Sequence, residues 1–132
     1  MPDKKRILLI DDDVDFLTVN RLALEAAGYE VLSSETARRG VEMAREESPD
    51  LILMDLMMEE LHSGFAALGE LKHHAETANI PVIMITAVTT ATGFRIDQQG
   101  ELPDWLKAAE FINKPVDPKT LVARVGERLA AS

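Results

Sequence analysis

The chain has 132 residues, 46% apolar and 28% charged, with a formal net charge of −9 and no cysteine. That length supports one hydrophobic core, so residues 1–132 read as a single domain. The absence of cysteine excludes a disulfide framework, a thiolate zinc centre and a cysteine nucleophile. No apolar run approaches the roughly 18–20 residues needed to cross a bilayer. Lys4-Lys5-Arg6 followed by Ile7 to Ile10 imitates the start of a signal peptide, but Asp11-Asp12-Asp13 ends the apolar stretch after four residues. A cytoplasmic protein without membrane contact is therefore expected. The acidic balance argues against direct nucleic-acid binding and predicts attraction to cations and basic partner surfaces.

Five short apolar runs follow one another: Ile7–Ile10, Tyr29–Ser33, Leu51–Met54 after the turn Ser48-Pro49-Asp50, Ile80–Ile85, and Ala109–Ile112. Runs of four to six residues, apolar on both sides, suit strands of a parallel sheet covered on both faces. Amphipathic stretches lie between them. Phe16, Leu17, Asn20, Leu24 and Ala27 mark a first helix, closed by Gly28 where a left-handed C-cap is wanted. Residues 36–47 predict a second helix, and Phe65, Leu68 and Leu71 stripe a third. The last helix opens with Asp117 as N-cap and Pro118 in the first turn, and Leu121, Val125 and Leu129 repeat at helical spacing. Alternating strand and helix predict a doubly wound α/β fold. The stretch 87–108 resists this reading, although Phe94, Trp105 and Leu106 predict that it packs.

In doubly wound sheets, ligands bind at the carboxyl ends of the strands. The first apolar run ends in Asp11, Asp12 and Asp13, the third in Asp55, the fourth in Thr86 and the fifth near Lys114. If the central strands are neighbours, carboxylates, a hydroxyl and an ammonium converge on one edge. Clustered carboxylates repel and need a proton or a cation, and an all-oxygen donor set fits a hard ion such as magnesium or manganese. Such a site suits phosphoryl transfer, which needs positioning and charge stabilisation more than covalent help.

The set Ile10-Asp11-Asp12, Met54-Asp55-Leu56-Met57-Met58, Ile85-Thr86-Ala87 and Lys114-Pro115 resembles the receiver domain of bacterial two-component response regulators, over essentially the whole chain. The resemblance implies a flavodoxin-like sheet of five parallel strands in the order 2-1-3-4-5. It implies Asp55 as phosphoacceptor, with magnesium or manganese held by Asp11, Asp12, Asp55 and the main-chain carbonyl of Met57. Thr86, the Ala87 amide and Lys114 would bind the phosphoryl group, with a cis bond between Lys114 and Pro115. Thr86 and Phe111 would form the conformational switch, repacking the family's surface of fourth helix, fifth strand and fifth helix. The implied donor is a sensor histidine kinase or a phosphotransfer protein. The implied recipient is a downstream protein, or an output domain that this chain does not contain, and a homodimer remains open.

Three departures from the family pattern stand out. Glu59-Glu60-Leu61-His62-Ser63-Gly64 lacks the usual proline after Met58 and is longer by one residue. The span from Thr86 to Lys114 is also extended, giving an atypical segment between strands 4 and 5. Met57 and Val88, both apolar, flank the phosphoryl site, which predicts a poorly positioned attacking water and a long-lived phosphoryl group.

Other readings compete. Asp13 and Asp15 read as helix-start residues rather than ligands. His62, His73 and His74 lack metal-ligand spacing, and His73-His74 belong near a solvated helix face. Gly64 and Gly69 fail as a phosphate loop because Glu70-Leu71 stands where Lys-Ser/Thr is required. Asp11-x-Asp13-x-Asp15 fails as a calcium loop because Phe16 replaces the glycine and Leu22 the bidentate acid. A haloacid-dehalogenase-like phosphatase would use Asp11 as nucleophile and Asp13 as general acid but leaves Asp55 without a role. A non-phosphorylated receiver-like interaction module is the third possibility.

Overall fold

Strand side chains alternate between two buried layers in the computed structural model, which describes residues 4–55, 63–86, 110–113 and 116–130. The strands are β1 (Arg6–Ile10), β2 (Glu30–Ser34), β3 (Leu51–Asp55), β4 (Val82–Thr86) and β5 (Glu110–Asn113). The helices are α1 (Val14–Ala26), α2 (Ala37–Glu47), α3 (Ser63–His73) and α4 (Pro118–Ala130). All strand pairs are parallel, in the order β2-β1-β3-β4-β5. The expected sheet is therefore present, with strand ends shifted by one or two residues from the apolar runs.

Leu8, Ile10, Ile52, Met54, Val82 and Met84 share one cluster with Val41 and Ala44 of α2 and Leu68 and Leu71 of α3. Ile7, Leu9, Leu51, Leu53, Ile83 and Ile85 pack on the other side with Leu17 and Leu24 of α1 and Leu121 and Val125 of α4. Burial on both faces explains why the strands read as continuous apolar runs rather than as alternating ones. Asn20 is buried within the α1 stripe, and its amide donates to the Phe16 carbonyl at 2.9 Å.

Local chemistry sets the helix ends. Asp13 caps α1, its Oδ1 accepting from the N–H of Asp15 at 3.0 Å and of Phe16 at 3.2 Å, while Asp15 is exposed in the first turn. At the other end Gly28 takes a φ of 102°. The N–H of Gly28 bonds to the Glu25 carbonyl and that of Tyr29 to the Leu24 carbonyl, at 3.0 and 3.1 Å. This is a Schellman closure, and Tyr29 packs on the cluster containing Leu24, as that motif favours. Thr36 caps α2 through the N–H of Arg39, and Ser48, at a φ of 49°, stops it before Pro49. Asp117 Oδ1 accepts from the N–H of Lys119 at 3.3 Å, as expected of the cap of α4.

Candidate metal and phosphoacceptor site

The sheet order creates the site. β1 is flanked by β2 on one side and β3 on the other, so strand order reverses at the β1–β3 boundary. A crevice opens there at the carboxyl ends of the strands. Ile10 pairs with Met54 in register, so the residues after them, Asp11 and Asp55, emerge side by side.

Carboxylate oxygens of Asp11, Asp12 and Asp55 all lie within 4.8 Å of one another. Asp11 and Asp55 are buried, at 2% and 6% exposure, whereas Asp12 is open to solvent. The loop that carries the first two acids is tied down. The Asp11 N–H donates to the Ser34 carbonyl at the end of β2, at 3.1 Å. Asp11 Oδ1 in turn accepts the Asp13 N–H at 2.9 Å, and Asp13 is itself locked as the α1 cap.

Fully charged, each pair at this spacing repels by roughly 3 kcal/mol at an effective dielectric near 20, less where Asp12 meets water. Three oxygen donors converging from two strand ends fit a small divalent cation that retains several waters. The other descriptions of Asp11 and Asp13 fare worse. The Asp13 carboxylate is committed to capping, and Asp55, which the phosphatase reading leaves idle, stands inside the acidic group.

Thr86 ends β4, and its backbone position is one beyond Ile85, which pairs with Asp55. It pairs with Asn113, the last residue of β5, and Phe111 pairs with Met84. These backbone positions bring the fourth and fifth strand ends to the edge that carries the acids. Met57, Ala87, Val88, Lys114, Pro115, residues 59–62 and the span 87–108 lie outside the described residues. His73 is exposed at the end of α3, as expected, with Nδ1 2.6 Å from the Gly69 carbonyl.

Sequence reasoning passed over two features beside the acids, the main-chain bond that holds Asp11 and the close packing of Gly40 on Ile10. Ser34 acts through its main-chain carbonyl, which no side-chain pattern reports. Gly40, in the interior of α2, did leave a signal: a helical glycine is less stable than alanine, so its presence points to a close approach.

A parallel sheet of this order with acids gathered at its switch point defines a doubly wound α/β domain with a candidate cation site at the carboxyl ends of its strands. Comparison with known proteins agrees. The response regulator receiver domain model matches residues 7–126. The chain is 38% identical over 128 residues to Protein PilH of Pseudomonas aeruginosa, covering 95% of this chain and 98% of PilH. It is 34% identical over 125 residues to the DNA-binding dual master transcriptional regulator RpaA of Synechocystis, covering 91% of this chain but only 47% of RpaA. A CheY-like response regulator receiver domain protein from Methanospirillum hungatei superposes with a TM-score of 0.78 at 28% identity, over 98% of this chain and 96% of that one. The chain belongs to the response regulator receiver domain family, a family of two-component signalling domains in which phosphorylation falls on aspartate. Among the described residues no helix is long and apolar enough to cross a membrane.

Proposed function

We propose that this chain is a single receiver domain, acting in the cytoplasm, whose Asp55 accepts a phosphoryl group from the phosphohistidine of a sensor histidine kinase or phosphotransfer protein. The observation that carries this reading is the meeting of Asp11, Asp12 and Asp55 within 4.8 Å. Asp55 is read as the acceptor from the family resemblance and from its place at the end of β3, the central strand of the sheet.

In the transfer, an Asp55 carboxylate oxygen attacks phosphorus as the P–N bond to the donor imidazole breaks, and that nitrogen keeps the electron pair. Asp11, Asp12, Asp55 and the Met57 carbonyl would hold magnesium or manganese. When bound, that ion neutralises charge on the transferring phosphoryl oxygens. The role of the buried walls is positioning and water exclusion. Thr86, Ala87 and Lys114 would receive the phosphoryl oxygens. The acyl phosphate would draw the Thr86 hydroxyl inward and let Phe111 repack, a local charge change biasing a two-state element. The domain assists its own phosphorylation and dephosphorylation rather than turning over a separate substrate. The switched surface would be read by a downstream protein, an output domain or a second copy.

Incubation with a small phosphodonor and magnesium, followed by intact mass measurement, tests the reading. Wild type is expected to gain one phosphoryl group and Asp55→Ala none. Label on Asp11 would instead favour the phosphatase chemistry. Failure of wild type to accept phosphoryl from any donor would favour an interaction module that works unphosphorylated.

A further inference from the structure

Gly40 lies in α2, buried against the end of β1. A Cβ at this position would stand 2.4 Å from Ile10 Cδ1, 2.7 Å from Cγ1 and 3.1 Å from Cγ2. The first two distances are far inside van der Waals contact, so a methyl group here forces Ile10 to move. Ile10 is 1% exposed and shares its cluster with Val41, Ala44, Met54 and Leu68. In the sheet it is flanked by Ser34 on β2 and Met54 on β3. Close-packed interiors transmit such a displacement rather than absorb it. Here the recipients are the residues that carry the site: Ile10 precedes Asp11, Met54 precedes Asp55, and the Ser34 carbonyl holds the Asp11 N–H.

We infer that Gly40 is a positioning residue for the acidic cluster: its missing side chain lets α2 seat on Ile10 at the depth that sets the spacing of Asp11 and Asp12 against Asp55. This rests on the reading of those carboxylates as a divalent-cation site. Magnesium demands near-octahedral geometry at about 2.0–2.1 Å, whereas calcium accepts a looser shell at about 2.3–2.6 Å. A positioning defect therefore weakens magnesium more than calcium, and a general loss of stability does not discriminate between them.

The test is titration of wild type, Gly40→Ala and the double variant Gly40→Ala/Ile10→Val with magnesium chloride and, separately, calcium chloride, read by calorimetry. Gly40→Ala is expected to lose roughly tenfold in magnesium affinity, the scale of a disturbed supporting shell, and less than about threefold in calcium affinity. Ile10→Val removes Cδ1 and leaves a shorter side chain that can turn its other close carbon, Cγ1, away from position 40, and so restores most of the magnesium affinity. Unchanged magnesium binding in Gly40→Ala overturns the inference, as does a parallel loss of both ions that Ile10→Val leaves in place. If Gly40→Ala does not fold, the double variant decides: folded and binding as wild type supports the inference, and unfolded overturns it. Absence of either ion from wild type overturns the cation-site reading itself, a separate result.

Discussion

The two ends of the sheet use charge in opposite ways. At the amino end, opposite charges interlock. The Arg6 N–H donates to Asp50 Oδ2 at 2.8 Å and the Asp50 N–H returns to the Arg6 carbonyl at 2.8 Å, stitching β1 to β3. The Arg6 guanidinium reaches Glu30 on β2 at 3.2 Å and both the carboxylate and carbonyl of Glu47 on α2, at 2.8 and 2.5 Å. Hydrogen bonding to Glu47 foremost raises the Arg6 pKa above its ordinary value. At the carboxyl end, three carboxylates of one sign crowd into one crevice. The first arrangement joins opposite charges, and the second gathers like charges whose mutual repulsion a bound cation would relieve.

The largest break in this contrast is expected at Asp12. Asp12→Asn removes one of the three charges but leaves a side chain of the same shape. Magnesium affinity should fall by at least about 100-fold, the upper range for a disturbed supporting shell and a lower bound for a ligand. Without the ion, relieved repulsion should make the variant more stable than wild type by about 1 kcal/mol, a figure kept small because Asp12 faces solvent. Saturating magnesium should reverse the order. At 100 times the dissociation constant it stabilises wild type by about 2.7 kcal/mol and the variant by far less. Thermal melts of both proteins with and without magnesium check this, and a variant no more stable than wild type in the absence of ion would contradict the mutual repulsion.

What the sequence disclosed follows the same division. The carboxyl-edge acids were legible because they terminate runs such as Ile7–Ile10 and Leu51–Met54, whose two-sided burial makes the strand ends sharp. The last helix was legible because Asp117 and Pro118 act locally. Strand order was supplied by resemblance, since periodicity alone does not say that β3, rather than β2, follows β1 across the crevice. The tertiary contacts at both ends were not legible, apart from the hint that a glycine inside a helix gives. Arg6 and Asp50 meet across 44 residues, Ser34 acts through its backbone, and the fit of Gly40 to Ile10 is a matter of tertiary distance. The acids were identified as residue types at strand ends; the groups that aim them depend on packing.

The amino edge supplies the control. Arg6→Ala removes the bonds to Glu30 and Glu47 but keeps the main-chain exchange with Asp50. These pairs are solvent-facing, so the expected cost is roughly 1–2 kcal/mol, read as a lower urea midpoint with an unchanged slope. Magnesium affinity should stay at the wild-type value. A loss of magnesium binding would mean that the two ends of β1 are mechanically coupled and that the division drawn between them is false.

The smallest effect is expected at the entry to β4, where a charged side chain bonds to backbone carbonyls. Lys72, half-buried near the end of α3, donates from Nζ to the carbonyls of Ala78 and Ile80 at 3.1 and 3.0 Å. Thr77, fully buried, donates from Oγ1 to the Leu71 carbonyl at 2.5 Å. Lys72 thus satisfies two carbonyls of the segment between α3 and β4, and Thr77 satisfies one near the end of α3. Burial, and after it the positive charge of Arg128, pushes the Lys72 pKa below its ordinary value. The folded chain therefore holds this proton less tightly than the unfolded chain does. Between the folded pKa and the ordinary lysine value the unfolded state binds more protons, so this group's contribution to stability rises with pH. Lys72→Met keeps the apolar stem and loses the two bonds, at a cost under about 1 kcal/mol near neutrality. Because the variant lacks the titration, its deficit against wild type should widen as the pH is raised from neutral toward about 10. Urea midpoints of the two proteins across that range measure the difference, which cancels the titration of the remaining lysines. A deficit that narrows toward alkaline pH would mean that the ammonium is favoured by its two carbonyls more than it is penalised by burial, making this segment a third way of holding charge in the fold.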